Sequence, residues 1–314
     1  MAALAMAAAA LVGGCSDDAP TPATHTVYSE PPLPAKAIPI ETDTPVPTRS
    51  PVRCGDPTAS LRPSTAGGPT VEAIRARGRL VVGLDAGSNL FSFRDPLTGR
   101  IVGFDADIAR EIARDLLGDP DLIEYRSLAS EERERALQDH TVDLVAKTMT
   151  ITCERREKVA FSTVYLRADQ RILAVKNSGI NSLADLAGKR VCVARGTTSL
   201  DHIRRDQPAA TILTVPTWAD CLVVLQQRQV DAVSTDDAIL AGLAAQDPYT
   251  EVVGASISAE PYGIGIPKGD DDLVRFVNAT LDRIRNDGTW TSIHRRWLTS
   301  LGPPPNPPAP TYRD

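Results

Sequence analysis

The chain has 314 residues, a formal net charge of −6 and 42% hydrophobic residues. That length can bury a sizeable core and suggests about two domains of ordinary size, while the acidic balance argues against a nucleic-acid partner, which wants a basic face. The 25 prolines crowd into the two ends, so the folded part runs from about Val71 to about Leu301.

Met1 to Val12 is apolar and Ala-rich, too short to span a bilayer as a helix, and it stops at Gly13-Gly14-Cys15. A short apolar run closed by small residues reads as a signal peptide over residues 1–15. Val12-Gly13-Gly14-Cys15 resembles the bacterial lipobox, which implies that Cys15 takes a diacylglyceryl group and becomes the mature N-terminus. Residues 16–69 are rich in Pro, Thr, Ser, Ala and Asp. Such a segment cannot bury enough apolar surface to fold and is kept extended by its prolines, so it reads as a tether. The Pro-rich tail, residues 301–314, is of the same kind.

Between the ends, strands and helices alternate. Arg79 to Leu84 is a short apolar, β-branched run, hence a strand, and Ile101 to Phe104 is a second. In the stretch after Asp105, Ile108, Ile112 and Leu116 recur at i, i+4, i+8 on one helical face. Ala129 to Gln138 reads as a charged helix with Leu128 and Leu137 turned inward, and Val142 to Ala146 as a strand running into a polar turn. Further on, Arg171 to Val175, Arg190 to Ala194 and Val230 to Val233 read as strands. Ser199 to Arg205, Asp220 to Gln227, Ala238 to Ala245, Leu273 to Asp287 and Thr289 to Leu301 read as helices. The alternation predicts an α/β fold of open sheets covered on both sides, with ligands beyond the carboxyl ends of the strands.

Besides Cys15 there are four cysteines, Cys54, Cys153, Cys192 and Cys221. An even number outside the cytoplasm favours two disulfides. No pair has CxxC spacing and the four His residues are scattered, so no metal site is expected. No GxSxG, HExxH or P-loop signature is present, no cofactor is implied, and no catalytic residue is assigned.

Five stretches, in order, resemble one family. They are Gly103-Phe104-Asp105-Ala106-Asp107-Ile108-Ala109; Thr150-Ile151-Thr152-Cys153-Glu154-Arg155 with Phe161-Ser162 and Tyr165; Gly188-Lys189-Arg190-Val191 followed by Gly196-Thr197-Thr198-Ser199; Val230-Asp231-Ala232-Val233-Ser234-Thr235-Asp236; and Asn286-Asp287-Gly288-Thr289 with Trp297. Together they resemble the extracellular solute-binding proteins of family 3, the polar amino-acid receptors of ABC transporters. Among these, the chain looks most like the glutamate/glutamine-binding lipoproteins of actinobacteria, which share the Cys192 and Cys221 positions and the Pro-rich tether. The resemblance implies the two-lobed periplasmic-binding-protein fold with two hinge crossovers. Lobe one would be residues 70–166 plus 257–300, and lobe two residues 167–256. Cys192 is expected to pair with Cys221 on lobe two, and Cys54 with Cys153 to close the tether onto lobe one.

A free amino acid brings a carboxylate, an ammonium and a side chain, and each needs a partner once water is excluded. Arg155 is the expected carboxylate partner, because its planar fork makes two parallel charge-assisted bonds. Arg156 is expected to face solvent. Gly196-Thr197-Thr198-Ser199 follows a strand and opens a helix, placing N–H groups and the Thr198 hydroxyl toward an anion. Asp236 is the expected ammonium partner, helped by the Thr150 hydroxyl and the Thr148 carbonyl, with Asp237 outside and Asp231 structural. The loop from Asp85 to Phe91, including Ser88, is expected to meet the ligand side chain. Lys147 and Arg195 either meet a side-chain carboxylate or are solvated, and Asp85 either receives an amide or pairs with Lys147. The best ligands are then Glu, Asp, Gln or Asn. The expected partners are a membrane ABC permease or a transmembrane sensor, with the protein a monomer anchored to the outer face of the cell membrane. The rival expectation is a dehydratase of cyclic amino-acid precursors on the same fold.

Overall fold

The computed structural model describes residues 30–40 and 52–314, and residues 33–314 form one compact unit. The expected signal peptide, Cys15, and residues 16–29 and 41–51 of the expected tether lie outside the described residues. Strand β1 (Ile38–Ile40) comes first, then helix α1 (Pro69–Arg77), begun by a proline and ended by Gly78 in the left-handed conformation, the usual division of labour between those residues. Strands β2 (Leu80–Leu84), β3 (Gly87–Ser88), β4 (Ser92–Arg94) and β5 (Ile101–Val102) lead into helix α2 (Phe104–Leu117). After β6 (Ile123–Ser127) and a 3-10 turn at Ser130–Glu132 come α3 (Arg133–Gln138), β7 (Leu144–Val145), α4 (Cys153–Lys158) and β8 (Val159–Phe161).

The long strand β9 (Leu166–Val175) carries the chain across to a second sheet. There β10 (Arg190–Ala194), α5 (Thr198–Asp206), β11 (Thr211–Val215), α6 (Trp218–Gln226), β12 (Ala232–Asp236) and α7 (Asp237–Ala244) alternate. Strand β13 (Thr250–Tyr262) brings the chain back to β14 (Gly265–Pro267), α8 (Asp271–Asn286) and α9 (Thr289–Trp297).

The first lobe holds a five-stranded sheet in the order β6-β2-β7-β14-β8, and the second a six-stranded sheet in the order β1-β11-β10-β12-β9-β13. In each, the central pairs are parallel (β2 with β6 and β7, β10 with β11 and β12). Parallel strands must be covered on both faces, and each sheet has its own apolar core. Val82, Ile108, Phe104 and Trp290 belong to one, and Val193, Ile212, Leu225 and Leu240 to the other. Strands β9 and β13 pair antiparallel from Leu166↔Tyr262 to Val175↔Thr250, with an irregularity between Val253 and Ser258. They are the two crossovers between the lobes. Cys54 is bonded to Cys153 and Cys192 to Cys221, each pair with Cα atoms 5.5 Å apart.

The Pro-rich flanks do not behave as the composition suggests. Ile38–Ile40 adds an antiparallel strand to the edge of the second sheet, opposite Thr214, Leu213 and Ile212. Ser60 bridges to Tyr312, the Tyr312 hydroxyl donates to Asp282 at 2.8 Å, and the Arg62 N–H donates to the Asp314 carboxylate at 2.8 Å. The tail and the end of the tether near Ser60 are therefore fastened to the first lobe by hydrogen bonds, with Leu61 packed into its apolar core. Among the described residues no helix is long and apolar enough to cross a membrane.

Candidate functional site

Loops at the carboxyl ends of the strands meet between the lobes. From the first lobe, α3 and α4 contribute Arg133 and Arg155, and the turn after β7 contributes Thr148 and Thr150. From the second, the start of α5 contributes Thr197, Thr198 and Ser199, the end of β12 contributes Thr235 and Asp236, and Trp218 and Ile239 supply apolar wall. The lobes are drawn together, so the space between these side chains is about 10 Å³, roughly the room one water needs.

Gly196 is one place where the lobes touch. Arg133 Nη2 and Arg155 Nη2 both donate to its carbonyl, each at 3.1 Å. A Cβ there would lie 2.5 Å from Glu131 Cα, and φ is +70°, a region that favours glycine. On one flank Arg195 Nη2 meets Glu131 Oε1 at 3.1 Å. At a second crossing the Asn89 amide donates to the Gly242 carbonyl at 2.9 Å.

Arg155 is buried, with Nη1 donating to the Thr150 carbonyl at 2.7 Å and Nε 3.4 Å from Glu134. Thr152 caps the helix that presents it, accepting the Arg155 N–H at 3.2 Å. Thr148 has φ +39°, a conformation held because its N–H donates to Asp105 Oδ2 at 3.0 Å. The Tyr165 hydroxyl donates to the other Asp105 oxygen at 2.7 Å. Burial raises the Asp105 carboxyl to about 7 against those two bonds.

Thr197 is the N-cap of α5 and accepts the Leu200 N–H at 3.3 Å. That leaves the first N–H groups of the helix facing the cleft with no partner within the helix. Asp236 is buried, with one oxygen taking the Tyr262 hydroxyl proton and the other, Oδ1, without a hydrogen-bond partner among the described residues. Burial, and then the charge of Glu260, raise its carboxyl well above the ordinary range.

Thr148, Thr150, Arg155, Thr198, Ser199 and Asp236 are thus brought to one cleft. The other expected contacts are not among its lining residues, and each has a physical reason. Phe91 is fully buried in the first core, edge-on to Phe104 and Tyr262. Ser88 is buried in the small β3-β4-β5 sheet. Lys147 and Asp85 are both buried and paired at 3.1 Å, and the Asp85 carboxylate also takes the Gly87 N–H at 2.9 Å. Of the two alternatives open for Asp85, the pair is the one found. Arg195 is occupied by Glu131 and by the Lys36 carbonyl at 2.7 Å. Two expected outward residues are corrected as well. Arg156 is half-buried, donating to the Pro57 and Ala59 carbonyls. Asp237 is half-buried, taking the Asp169 and Ala238 N–H groups. Asp231 is structural, holding Arg190.

Two groups of the cleft escaped the sequence reading. Arg133 stands in an alternating Glu/Arg run that looks like a solvated helix face, yet it is buried and donates to the Ser130, Lys147, Thr148 and Gly196 carbonyls. Burial and the neighbouring Arg155 charge lower it to about 9, so it stays cationic at neutral pH. Glu260 lies in β13, a stretch with no polar motif to mark it. It sits behind the two threonines, with Oε2 accepting from Thr150 at 2.7 Å and from Thr198 at 2.8 Å. Its Oε1 accepts from Ser258 at 2.6 Å and lies 3.4 Å from His202 Nδ1.

Ser258, His202 and Glu260 are the residue types of a proton relay, but the contacts of Ser258, Glu260 and Gln170 with the imidazole all fall on the same ring nitrogen, Nδ1. A relay engages the two nitrogens on opposite sides; the contacts described here share one. Among the described residues no group of three His, Cys, Asp or Glu side chains is placed to hold a metal. Buried cations, a buried carboxylate with a bare oxygen, hydroxyls and a helix N-terminus suit a small zwitterion.

The model of the bacterial extracellular solute-binding proteins, family 3, matches residues 80–300. The chain is 42% identical over 69% of its length to the glutamine-binding protein of Geobacillus stearothermophilus, covering 83% of that protein. It is 37% identical over 73% of its length to the ABC transporter glutamine-binding protein GlnH of Bacillus subtilis, covering 84% of it. Among solved structures, an ancestral arginine-binding protein bound to glutamine is similar with a TM-score of 0.67 and 36% identity, over 71% of this chain and 98% of that one.

Proposed function

The chain belongs to the bacterial extracellular solute-binding proteins of family 3, and from that premise we propose that it captures a polar amino acid, Glu, Asp, Gln or Asn, by closing its two lobes. The two relatives are named as glutamine-binding proteins, one of them as that of an ABC transporter, which favours delivery to a membrane permease over the dehydratase reading. The chain acts outside the cytoplasm, as its family does. Attachment through a lipid on Cys15, action as a monomer, and lobe limits at 70–166 plus 257–300 and 167–256 belong to the same proposal.

The observation that carries it is Asp236 Oδ1, buried, facing the cleft and without a partner among the described residues. An unsatisfied buried carboxylate oxygen costs free energy until a donor arrives, and an ammonium supplies one with a full charge. The ligand carboxylate then takes Arg155 and the N–H groups of Thr198 and Ser199. Thr198 gives its hydroxyl proton to Glu260, so the backbone rather than the side chain serves the anion. Calorimetric screening of the twenty amino acids tests this with Arg155→Ala and Asp236→Ala. Each variant should weaken every ligand by roughly one and a half to four decades. Undiminished binding in either would sink the assignment.

A further inference from the structure

We propose that a hollow on the first lobe, beside the Cys54–Cys153 bond, binds a phosphate group, the chemistry shared by a free phosphate ester and the headgroup of an anionic lipid. This second site goes beyond the amino-acid cleft and does not depend on it. The hollow encloses about 530 Å³ and is lined by Arg53, Arg156, Lys268 and Arg313 against Asp56 and Glu157, with both disulfide cysteines in its wall. A fifth cation, Arg167, stands near enough for its charge to act on Asp56. Five cations against two carboxylates thus gather on a chain whose net charge is −6. The local excess is opposite in sign to the whole.

The carboxylates do not settle these cations. Asp56 is engaged by Thr58, accepting its N–H at 2.8 Å and its hydroxyl at 2.7 Å. Among the described residues no ion pair joins Arg53, Arg167 or Arg313 to a carboxylate. Arg156 lies over the Phe161 ring, 5.7 Å from its centroid, and gives Nε and Nη2 to the Pro57 and Ala59 carbonyls, which leaves Nη1 uncommitted. Lys268 Nζ donates to the Arg156 and Glu157 carbonyls at 3.2 and 2.7 Å, and an ammonium has a third proton to give. Burial, and then the charge of Arg313, hold the Arg156 guanidinium down to about 10, so it stays cationic at neutral pH. Two guanidiniums that repel each other in one hollow are relieved by an anion that both can touch. A carboxylate is planar and fills one guanidinium fork, whereas a phosphate spreads its oxygens in three directions and carries up to two charges. Donors arriving from separate segments of chain, as here, suit the second shape. Arg155, next in sequence to Arg156, lines the cleft and has no part in this wall, so the two sites draw on different residues.

The test uses the full chain carrying Cys15→Ser, so that no lipid of its own confuses the result. Inorganic phosphate and glycerol 3-phosphate are titrated calorimetrically at low salt, and sedimentation with vesicles compares phosphatidylglycerol with phosphatidylcholine. Binding of either soluble anion, weakened by added salt and by roughly tenfold in the double variant Arg53→Gln, Arg313→Gln, is the expected result. Both replaced side chains are exposed and unpaired, so the fold and the binding of amino acids should be unchanged. An excess on phosphatidylglycerol vesicles that the same variant removes, without binding of the soluble anions, would support the site and name the headgroup as its source. Phosphate binding no tighter than about 10 mM together with equal binding to the two vesicles overturns the proposal. So does anion binding that the double variant leaves intact, and so does binding lost in Arg155→Ala, which would place the anion in the cleft.

Discussion

Lys147 Nζ lies 3.1 Å from Asp85 Oδ2, with both side chains buried. The strand end and the turn that carry them, β2 and the segment after β7, are neighbours in the five-stranded sheet, so the pair ties the floor of the first lobe together.

Removing one partner strands the other. Lys147→Met should destabilise the protein by about 3–5 kcal/mol, whereas Lys147→Met combined with Asp85→Asn should recover most of that loss. Ligand preference should not change in either. Chemical denaturation of the three proteins, with amino-acid titrations alongside, would check both points. A selective loss of acidic ligands in the single variant would return Lys147 to the specificity site.

Gly242 lies within α7, where alanine is the better helix former by about 1 kcal/mol. A Cβ at this position would nevertheless fall 2.5 Å from the Asn89 carbonyl oxygen of the opposite lobe. Gly242→Ala should therefore hold or raise the melting temperature while weakening ligand binding by roughly tenfold, because the closed population falls. Thermal melts and calorimetry on one preparation separate the two signs.

Asp236 carries a carboxyl raised well above its ordinary value by burial and by Glu260. An arriving ammonium favours the ionised form, so binding should release a proton. Affinity should then climb as pH rises through the raised value and level off above it. Titrations in buffers of differing ionisation enthalpy would reveal the proton, and Asp236→Asn should abolish its release.

Asp105 is raised to about 7 by burial, above its unfolded value. The sign follows: its contribution to stability is fully present below the unfolded value near 4 and is lost as pH rises through about 7. The stability of wild type relative to Asp105→Asn should decline over that window. A difference that grows with pH would mean that Tyr165 and Thr148 outweigh burial.

The alternation of elements was open to reading because parallel strands buried on both faces are apolar runs, as in Leu80–Leu84 and Arg190–Ala194. The crossover β13 was hidden. Its thirteen residues span two lobes and mix Ser, Glu and Gly, with burial that alternates only in part. In the site, groups that begin or end regular elements could be placed, since Arg155, Thr198 and Asp236 stand in motifs with a chemical purpose. Arg133 and Glu260 could not. Each is defined by the opposite element that covers it, Gly196 for one and the Thr150–Thr198 pair for the other, and no local pattern encodes that. The pairing of Lys147 with Asp85, 62 positions away, stood among the alternatives the sequence left open, and the fold decides for it.

Ile40 sits on the second lobe and Cys54 is bonded to the first, with thirteen residues, 41–53, between them. Fully extended, a run of that length can reach about 50 Å. A pull on the N-terminus would load the edge of the second sheet before any force reached the disulfide. Strand β1 is three residues long and held only on one side, so it would peel from β11 first.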